Sequence, residues 1–148
     1  MTQPETTTEL VMTRVFAAPR ALVFAAFTDP DQLARWFGPV GFSVPRDTVD
    51  VDARTGGHQR FTMVSDADPD FTSPVDARFT EVVEDALIVG VEEGSEGSPR
   101  TTTRVEFHEE GGTTRLVLRQ GPYSAEVVSM AQLGWESSFT KLDTLLAA

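Results

Sequence analysis

The chain has 148 residues, a length typical of one domain, and it is 40% hydrophobic and 24% charged, as folded globular chains are. Its formal net charge of −11 repels phosphate backbones and argues against nucleic-acid binding. The absence of cysteine excludes disulfides, thiolate nucleophiles and cysteine-based metal sites. The sequence contains neither a signal-peptide pattern nor the ~18 apolar residues of a membrane helix. We therefore expect a cytoplasmic protein that does not insert into membranes.

The composition along the chain favours a single domain. Residues 1–8 are polar and predict a disordered N-terminal tail. Residues 9–148 contain no linker, repeat or low-complexity stretch, so we expect them to fold together.

The predicted elements begin with a strand and two short helices. Polar and apolar side chains alternate over residues 9–17, which predicts a strand. Residues 21–28 carry an apolar stripe at helical spacing and predict the first helix. Asp29 followed by Pro30 is typical of a capped helix start, and the second helix is expected to end at Gly38.

A run of strands and one long helix complete the chain. Alternation between turn residues predicts strands over residues 44–53, 58–65, 75–83, 87–93, 101–108 and 114–120. From Ala125 apolar residues recur every three or four positions, which predicts a long C-terminal helix capped by Ser124. Strands joined by short turns pair antiparallel, so this order predicts an α+β fold. We expect a curved sheet of six to seven strands and a cavity between that sheet and the long helix.

Several short segments, in order along nearly the whole chain, carry a family resemblance. They are Phe16-Ala17-Ala18-Pro19, Val23-Phe24 with Ala26, Thr28-Asp29-Pro30, Leu33-Ala34-Arg35-Trp36-Phe37-Gly38-Pro39, Gly56-Gly57 with Arg60 and Met63, and Gly134-Trp135 with Leu142 and Leu145. Together they resemble the activator of heat-shock protein 90 ATPase homologue family.

That resemblance implies the helix-grip fold of the START-like, birch-pollen-allergen-like superfamily. In this fold a curved antiparallel sheet grips a C-terminal helix and leaves a cavity between them. Members include lipid carriers, polyketide cyclases, antibiotic self-resistance proteins and a co-chaperone, so membership alone does not define a function.

Periodicity and the family layout together place a set of side chains on the cavity wall. They are Trp36, Phe37, Phe61, Met63, Phe79, Val89, Phe107, Leu118, Gln120, Met130, Trp135 and Phe139. Such a wall favours a hydrophobic or aromatic ligand, lipid-like or polyketide-like, whose affinity comes from burying apolar area at about 25 cal/mol per Å² before association costs. Transport, sequestration and self-resistance all fit, and no cofactor is expected.

Two parts of this wall allow alternative interpretations. Trp36 and Phe37 either cover the cavity mouth as a lid or pack in the core. Gly134 interrupts the long helix, where glycine costs about 1 kcal/mol relative to alanine. Two compatible interpretations are that it lets the helix approach the sheet and that it leaves space for a ligand.

An enzyme of the cyclase or dehydratase kind is the second hypothesis. By alternation Glu81 shares a face with Phe79 and Val83. An apolar cavity would favour the protonated form of Glu81 and suit it to general acid or base work. The alternative is a strand-end residue that meets solvent, Arg78 or Arg60. No strong catalytic set accompanies Glu81, so a non-enzymatic role is favoured.

The remaining polar motifs predict no further site. The spacing of His58 and His108 fits no metal-ligand motif or Ser-His-Asp triad, and Gly56-Gly57 is typical of a turn rather than a phosphate loop. We interpret two acidic clusters as solvated surface, namely Asp66/Asp68/Asp70 and Glu92/Glu93/Glu96.

The third hypothesis is a partner-binding module that regulates a chaperone. It predicts an exposed apolar patch rather than a ligand cavity. The eukaryotic co-chaperone has an N-terminal domain without a counterpart in this sequence, which argues against this hypothesis.

Overall fold

A computed structural model describes residues 8–94 and 100–147. In chain order these residues form β1 (Thr8–Phe16), α1 (Arg20–Thr28), α2 (Pro30–Trp36), β2 (Phe42–Ser43), β3 (Asp50–Asp52), β4 (His58–Ser65), β5 (Thr72–Val83), β6 (Leu87–Glu92), β7 (Thr101–Glu110), β8 (Thr113–Tyr123) and α3 (Ala125–Ala147). The predicted α+β order, with two short helices after the first strand and one long terminal helix, is confirmed.

All strands belong to one antiparallel sheet in the order β1-β8-β7-β6-β5-β4-β2, with β3 also paired to β4. The three helices contact one another and cover one face of this sheet, where α3 packs against β1 and β8. This is the helix-grip arrangement that the family resemblance implied.

The sheet has eight strands rather than six to seven because a short strand that was not predicted, Phe42–Ser43, also joins it. The strand predicted over residues 44–53 is shortened to Asp50–Asp52. A 3₁₀ turn, Arg46–Thr48, follows Pro45, which fixes its own φ and has no amide proton for strand pairing. The Thr48 hydroxyl donates to the carbonyl of Pro45 at 2.7 Å and accepts from the amide of Thr62 at 3.2 Å. The side chain therefore replaces a backbone pairing that the turn removes.

The predicted helix caps are present. Asp29 Oδ1 accepts the amide of Asp31 at 2.9 Å, and Ser124 Oγ accepts the amide of Val127 at 3.3 Å. The Gly56-Gly57 turn predicted between strands also forms, and joins β3 to β4.

Pro30 starts α2 and also leaves a backbone carbonyl in the core without its usual hydrogen-bond donor. Since Pro30 has no amide proton, the carbonyl of Ala26 lacks its usual donor four residues along the chain. The Trp36 indole donates to that oxygen at 2.8 Å, and Trp36 is completely buried. The indole therefore supplies the hydrogen bond that the backbone does not make where α1 meets α2.

Some expectations concern residues outside the described ranges. The predicted N-terminal tail lies there except for Thr8, which is the first residue of β1 and is in register with Tyr123 of β8. Glu96 of the second acidic cluster also lies there. Within the described part of the chain, no helix is long and apolar enough to cross a membrane.

Candidate ligand-binding cavity

A cavity of about 340 Å³ lies between the sheet and α3. Strands β4 to β8 form one wall, and α3 with the segment after α2 forms the other. This volume is in the range of small-molecule sites. Most of the lining side chains are apolar, including Phe27, Phe37, Phe61, Met63, Val75, Phe79, Ile88, Val105, Ala131 and Trp135.

Half of the side chains predicted for the wall line this cavity. They are Phe37, Phe61, Met63, Phe79, Gln120 and Trp135. Phe37 lies at the centre of the aromatic contacts, with its ring 4.7 Å from that of Phe61 and 5.5 Å from that of Trp135, both nearly edge to face. These three rings join the sheet, α3 and the end of α2 around one space.

Four other predicted wall residues lie in the core and do not line the cavity. They are Trp36, Phe107, Leu118 and Phe139, and each is at most 2% exposed. The rings of Phe24 and Phe107 are 5.4 Å apart, and those of Phe16 and Phe139 are 5.2 Å apart. Helix α1 covers Phe107 and the second half of α3 covers Phe16, so inward side chains at this end of the sheet meet other rings instead of open space.

Trp36 and Phe37, which were expected either to cover the cavity mouth together or to pack in the core together, therefore have different positions. Trp36 is a core residue, and Phe37, one position later, lines the cavity.

The structure corrects the placement of Met130 and Val89. Met130 is 71% exposed on the outer face of α3, whereas Ala131 and Gly134 line the cavity. On β6 the cavity face carries Ile88 and Gly90, so Val89 points to the opposite side of the sheet. Because side chains alternate along a strand, an error of one residue assigns every side chain of that strand to the wrong face.

Of the two interpretations of Glu81, the structure supports the one in which this residue meets solvent. Phe79 is in register with Gly90 and Glu81 with Val89, so β5 contains an extra residue, Thr80, at a β-bulge. The bulge inverts the alternation that places Glu81 beside Phe79. Glu81 is exposed and does not line the cavity.

Gly134 lines the cavity, and a Cβ added to it would meet no atom within 4 Å. The glycine is therefore not required for close approach of α3 to the sheet. Of the two interpretations of this residue, the structure favours space in the cavity.

The cavity also has polar lining that sequence reasoning missed. Its side chains are Gln59, Ser73, Glu92, Thr103 and Ser138. Glu92 follows Ile88 and Gly90 at intervals of two, so it lies on their face of β6, opposite to Val89. With Val89 assumed to face the cavity, the same alternation assigned Glu92 to the outer side of the sheet.

Gln120 connects the two walls. Its Oε1 accepts from the Trp135 indole at 3.0 Å, and its Nε2 donates to Thr103 Oγ1 at 2.8 Å. The amide therefore fixes the orientation of the Trp135 ring over the cavity and satisfies an indole N–H that faces an apolar space.

Glu92 is the carboxyl group of this site whose pKa is shifted by its surroundings. Burial raises the pKa of Glu92; the backbone amide of Asp76, 3.5 Å from Oε1, opposes the shift, and the Asp76 carboxylate adds to it. Burial, and secondarily the charge of Glu92, also raises the pKa of the half-buried Tyr123 phenol. Both shifts reflect the cost of negative charge in this half-buried region.

The segment after α2 is tied to α3 by two hydrogen bonds. The amide of Val40 donates to Ser137 Oγ at 2.8 Å, and Lys141 Nζ donates to the carbonyl of Phe42 at 3.1 Å. Burial lowers the pKa of Lys141. Phe37, Gly38 and Pro39, which line the cavity, therefore lie in a segment anchored to the helix.

The histidines lie outside the cavity. His58 Nε2 is 3.1 Å from Asp50 Oδ1, and His108 Nε2 is 2.9 Å from Glu106 Oε1. Over residues 8–94 and 100–147 no group of three His, Asp or Glu side chains could hold a metal ion.

The comparison with known families agrees with this architecture. The model of the family described as activator of Hsp90 ATPase homolog 1-like proteins matches residues 17–147. The chain belongs to this family. The fold of this AHSA1-like protein is that of ligand-binding domains, and the family resemblance inferred from the sequence is confirmed.

Solved structures show the same fold over almost the whole AHSA1-like chain. A Chromobacterium violaceum protein is 24% identical with a TM-score of 0.83 and coverage of 95% of this chain and 97% of its own. An AHSA1 protein from Silicibacter pomeroyi is 26% identical with a TM-score of 0.79 and coverage of 95% and 98%. A Mycobacterium smegmatis protein is 26% identical with a TM-score of 0.76 and coverage of 94% and 90%. No curated protein matches the sequence.

Proposed function

We propose that this AHSA1-like protein binds a hydrophobic or aromatic small molecule in the cavity between the sheet and α3. Transport, sequestration or self-resistance in the cytoplasm would use such binding. The observation that carries the proposal is the space left between Phe61, Phe79 and Trp135 while the other end of the same core is filled by aromatic rings. Burial of apolar ligand area in that space would supply the affinity.

Binding is favoured over the enzymatic alternative because Glu81 lies outside the cavity. A general acid or base must reach the reacting group by hydrogen bonding. The exposed carboxylate of Glu81 does not line the space that would hold a substrate.

Filling the cavity from Gly134 tests the proposal. The test uses an amide NMR titration of labelled protein with fatty acids, sterols, flavonoids and aromatic polyketides. We expect saturable shifts in the wild type around Phe37, the inner strand faces and α3. Gly134→Leu should abolish them, because its side chain would enter the open space next to Gly134. The same change should stabilise α3 by up to about 1 kcal/mol by removing a helical glycine.

Gln132→Leu is the matched control, since Gln132 is an exposed residue of α3. This variant should bind like the wild type. Shifts that persist in Gly134→Leu would place the ligand elsewhere. A folded wild type that responds to no ligand class would contradict the proposal.

A second candidate function, regulation of a chaperone, rests on the outer face of α3. Val127, Met130 and Leu133 are 40%, 71% and 67% exposed and recur every three residues. Val40, also exposed, is bonded through its amide to Ser137, one turn beyond Leu133. An exposed apolar stripe of this kind is typical of protein-partner surfaces.

The double variant Met130→Gln, Leu133→Gln separates this function from ligand binding. If the stripe binds a chaperone, the protein should change the ATPase rate of an Hsp90-type chaperone and the double variant should lose at least half of that effect. Ligand titrations should be unaffected, because neither residue lines the cavity. A wild-type protein without effect on the ATPase rate would exclude this candidate.

A further inference from the structure

Glu92 is the one ionisable side chain among the described residues that line the cavity. The other polar lining groups are neutral amides and hydroxyls, on Gln59, Ser73, Thr103, Gln120 and Ser138. No lysine, arginine or histidine side chain of residues 8–94 and 100–147 faces this space. The electrostatic character of the cavity is therefore set by one carboxylate.

The charge of Glu92 is not compensated by a cation in the described part of the chain. Its polar contact there is the amide of Asp76, which approaches Oε1 at 3.5 Å. The nearby guanidinium groups of Arg78 and Arg100 instead approach Glu93, the residue directly after β6, at 4.0 and 3.0 Å. An anion in a half-buried, largely apolar space costs free energy unless an opposite charge joins it.

We propose that Glu92 is the recognition group for a protonated amine, and that the cavity selects small molecules with an apolar or aromatic body and one ammonium group. This inference rests on the proposed function and names its ligand class. The ammonium group would donate a hydrogen bond to the Glu92 carboxylate. This hydrogen bond would be stronger than one between neutral groups, because both partners are charged. The body of the ligand would lie among Phe61, Phe79 and Trp135. Fatty acids and other carboxylates are disfavoured, because they would bring a second negative charge next to Glu92.

The groups around Glu92 define how this recognition should depend on pH. Asp76 on β5 and Tyr123 on β8 are its titratable neighbours, and neither supplies a positive charge. A bound ammonium favours the ionised carboxylate, so amine binding should release a proton from any Glu92 that is protonated in the free protein. The affinity for amines should fall as the pH is lowered from neutrality towards 4.5, the ordinary value for a glutamate.

Three probes with the same aromatic body isolate the contribution of charge. They are naphthylmethylamine, naphthylmethanol and naphthoic acid, which are cationic, neutral and anionic at neutral pH. Isothermal titration calorimetry should show that the amine binds at least about tenfold more tightly than the alcohol, and that the acid binds most weakly. Glu92→Gln should remove the preference for the amine and leave the affinity for the alcohol within about twofold.

Glu93→Gln is the matched control, because it removes the same charge from the next residue, which follows β6 and does not line the cavity. It should keep the preference for the amine. Equal affinities for amine and alcohol, or a preference that survives in folded Glu92→Gln, would overturn the role of Glu92 and leave cavity binding intact. If none of the three probes binds to the folded protein, both the amine inference and the cavity function behind it fail for aromatic ligands.

Discussion

Glu92 shows how one residue can favour ligand recognition at a cost to the free protein. Its carboxylate lines an apolar cavity, and burial raises the pKa of Glu92 above its ordinary value. A raised pKa means that the folded chain holds this proton more tightly than the unfolded chain does. Protonation of Glu92 therefore favours folding, and its ionisation at neutral pH opposes folding.

We expect Glu92→Gln to raise the free energy of unfolding at neutral pH. Its advantage over the wild type should shrink as the pH falls through the raised pKa of Glu92, and disappear below about 4.5, where the wild-type residue is protonated in both states. Urea unfolding at a series of pH values measures this difference. Glu93→Gln is the control for the change in net charge, and an advantage of Glu92→Gln that grows in acid would contradict the argument.

Two glutamates also show why residue-level prediction fails on these strands. Alternation along β6 puts Glu92 on the same face as Ile88 and Gly90, but it does not show which face of the strand meets the cavity, and Val89 was assigned to the cavity instead. Alternation along β5 fails for Glu81, because Thr80 is an extra residue in the pairing with β6. A bulge depends on the partner strand as well as on its own strand, so the sequence pattern of β5 alone does not show it.

At the scale of elements, Arg14 holds the C-terminal half of α3 against β1. Its two terminal nitrogens donate to the carboxylate of Asp143 at 3.0 and 2.5 Å, and one of them also donates to the carbonyl of Phe139 at 3.2 Å. The guanidinium group lies 5.0 Å from the ring centre of Phe16 and 5.7 Å from that of Phe139. Bidentate pairing and cation–π contacts make this more than an isolated surface ion pair.

Arg14→Ala should lower the free energy of unfolding by about 1 kcal/mol, because it removes three hydrogen bonds and the packing over two rings. Arg46→Ala is the comparison, since Arg46 forms a more exposed pair with Asp31 and should cost no more than about 0.5 kcal/mol. Chemical denaturation of both variants gives the two values. Equal losses would mean that Arg14 contributes only as an ordinary surface charge.

The whole molecule divides the space under its sheet into a filled end and an open end. At the filled end, rings from α1 pack on Phe107 of β7, and Phe139 of α3 packs on Phe16 of β1. Under the first half of α3 the chain provides Ala131 and Gly134, whose small side chains leave the cavity unfilled. The helix is fastened beyond this point by Arg14, so the cavity is spanned by a supported element.

The order of elements, the antiparallel sheet and the helix caps followed from the sequence, because periodicity, turn residues and caps are local properties. The family followed from the resemblance of short motifs spread along the chain. The inward direction of Phe61, Phe79 and Trp135 was also predicted from the periodicity of their own segments. Whether an inward side chain meets a ligand cavity or another ring was decided by the tertiary structure. Phe107 and Phe61 have the same burial and similar strand patterns, yet α1 covers the first and the cavity adjoins the second. That difference depends on where the helices lie over the sheet, which is determined by packing between segments far apart in the chain.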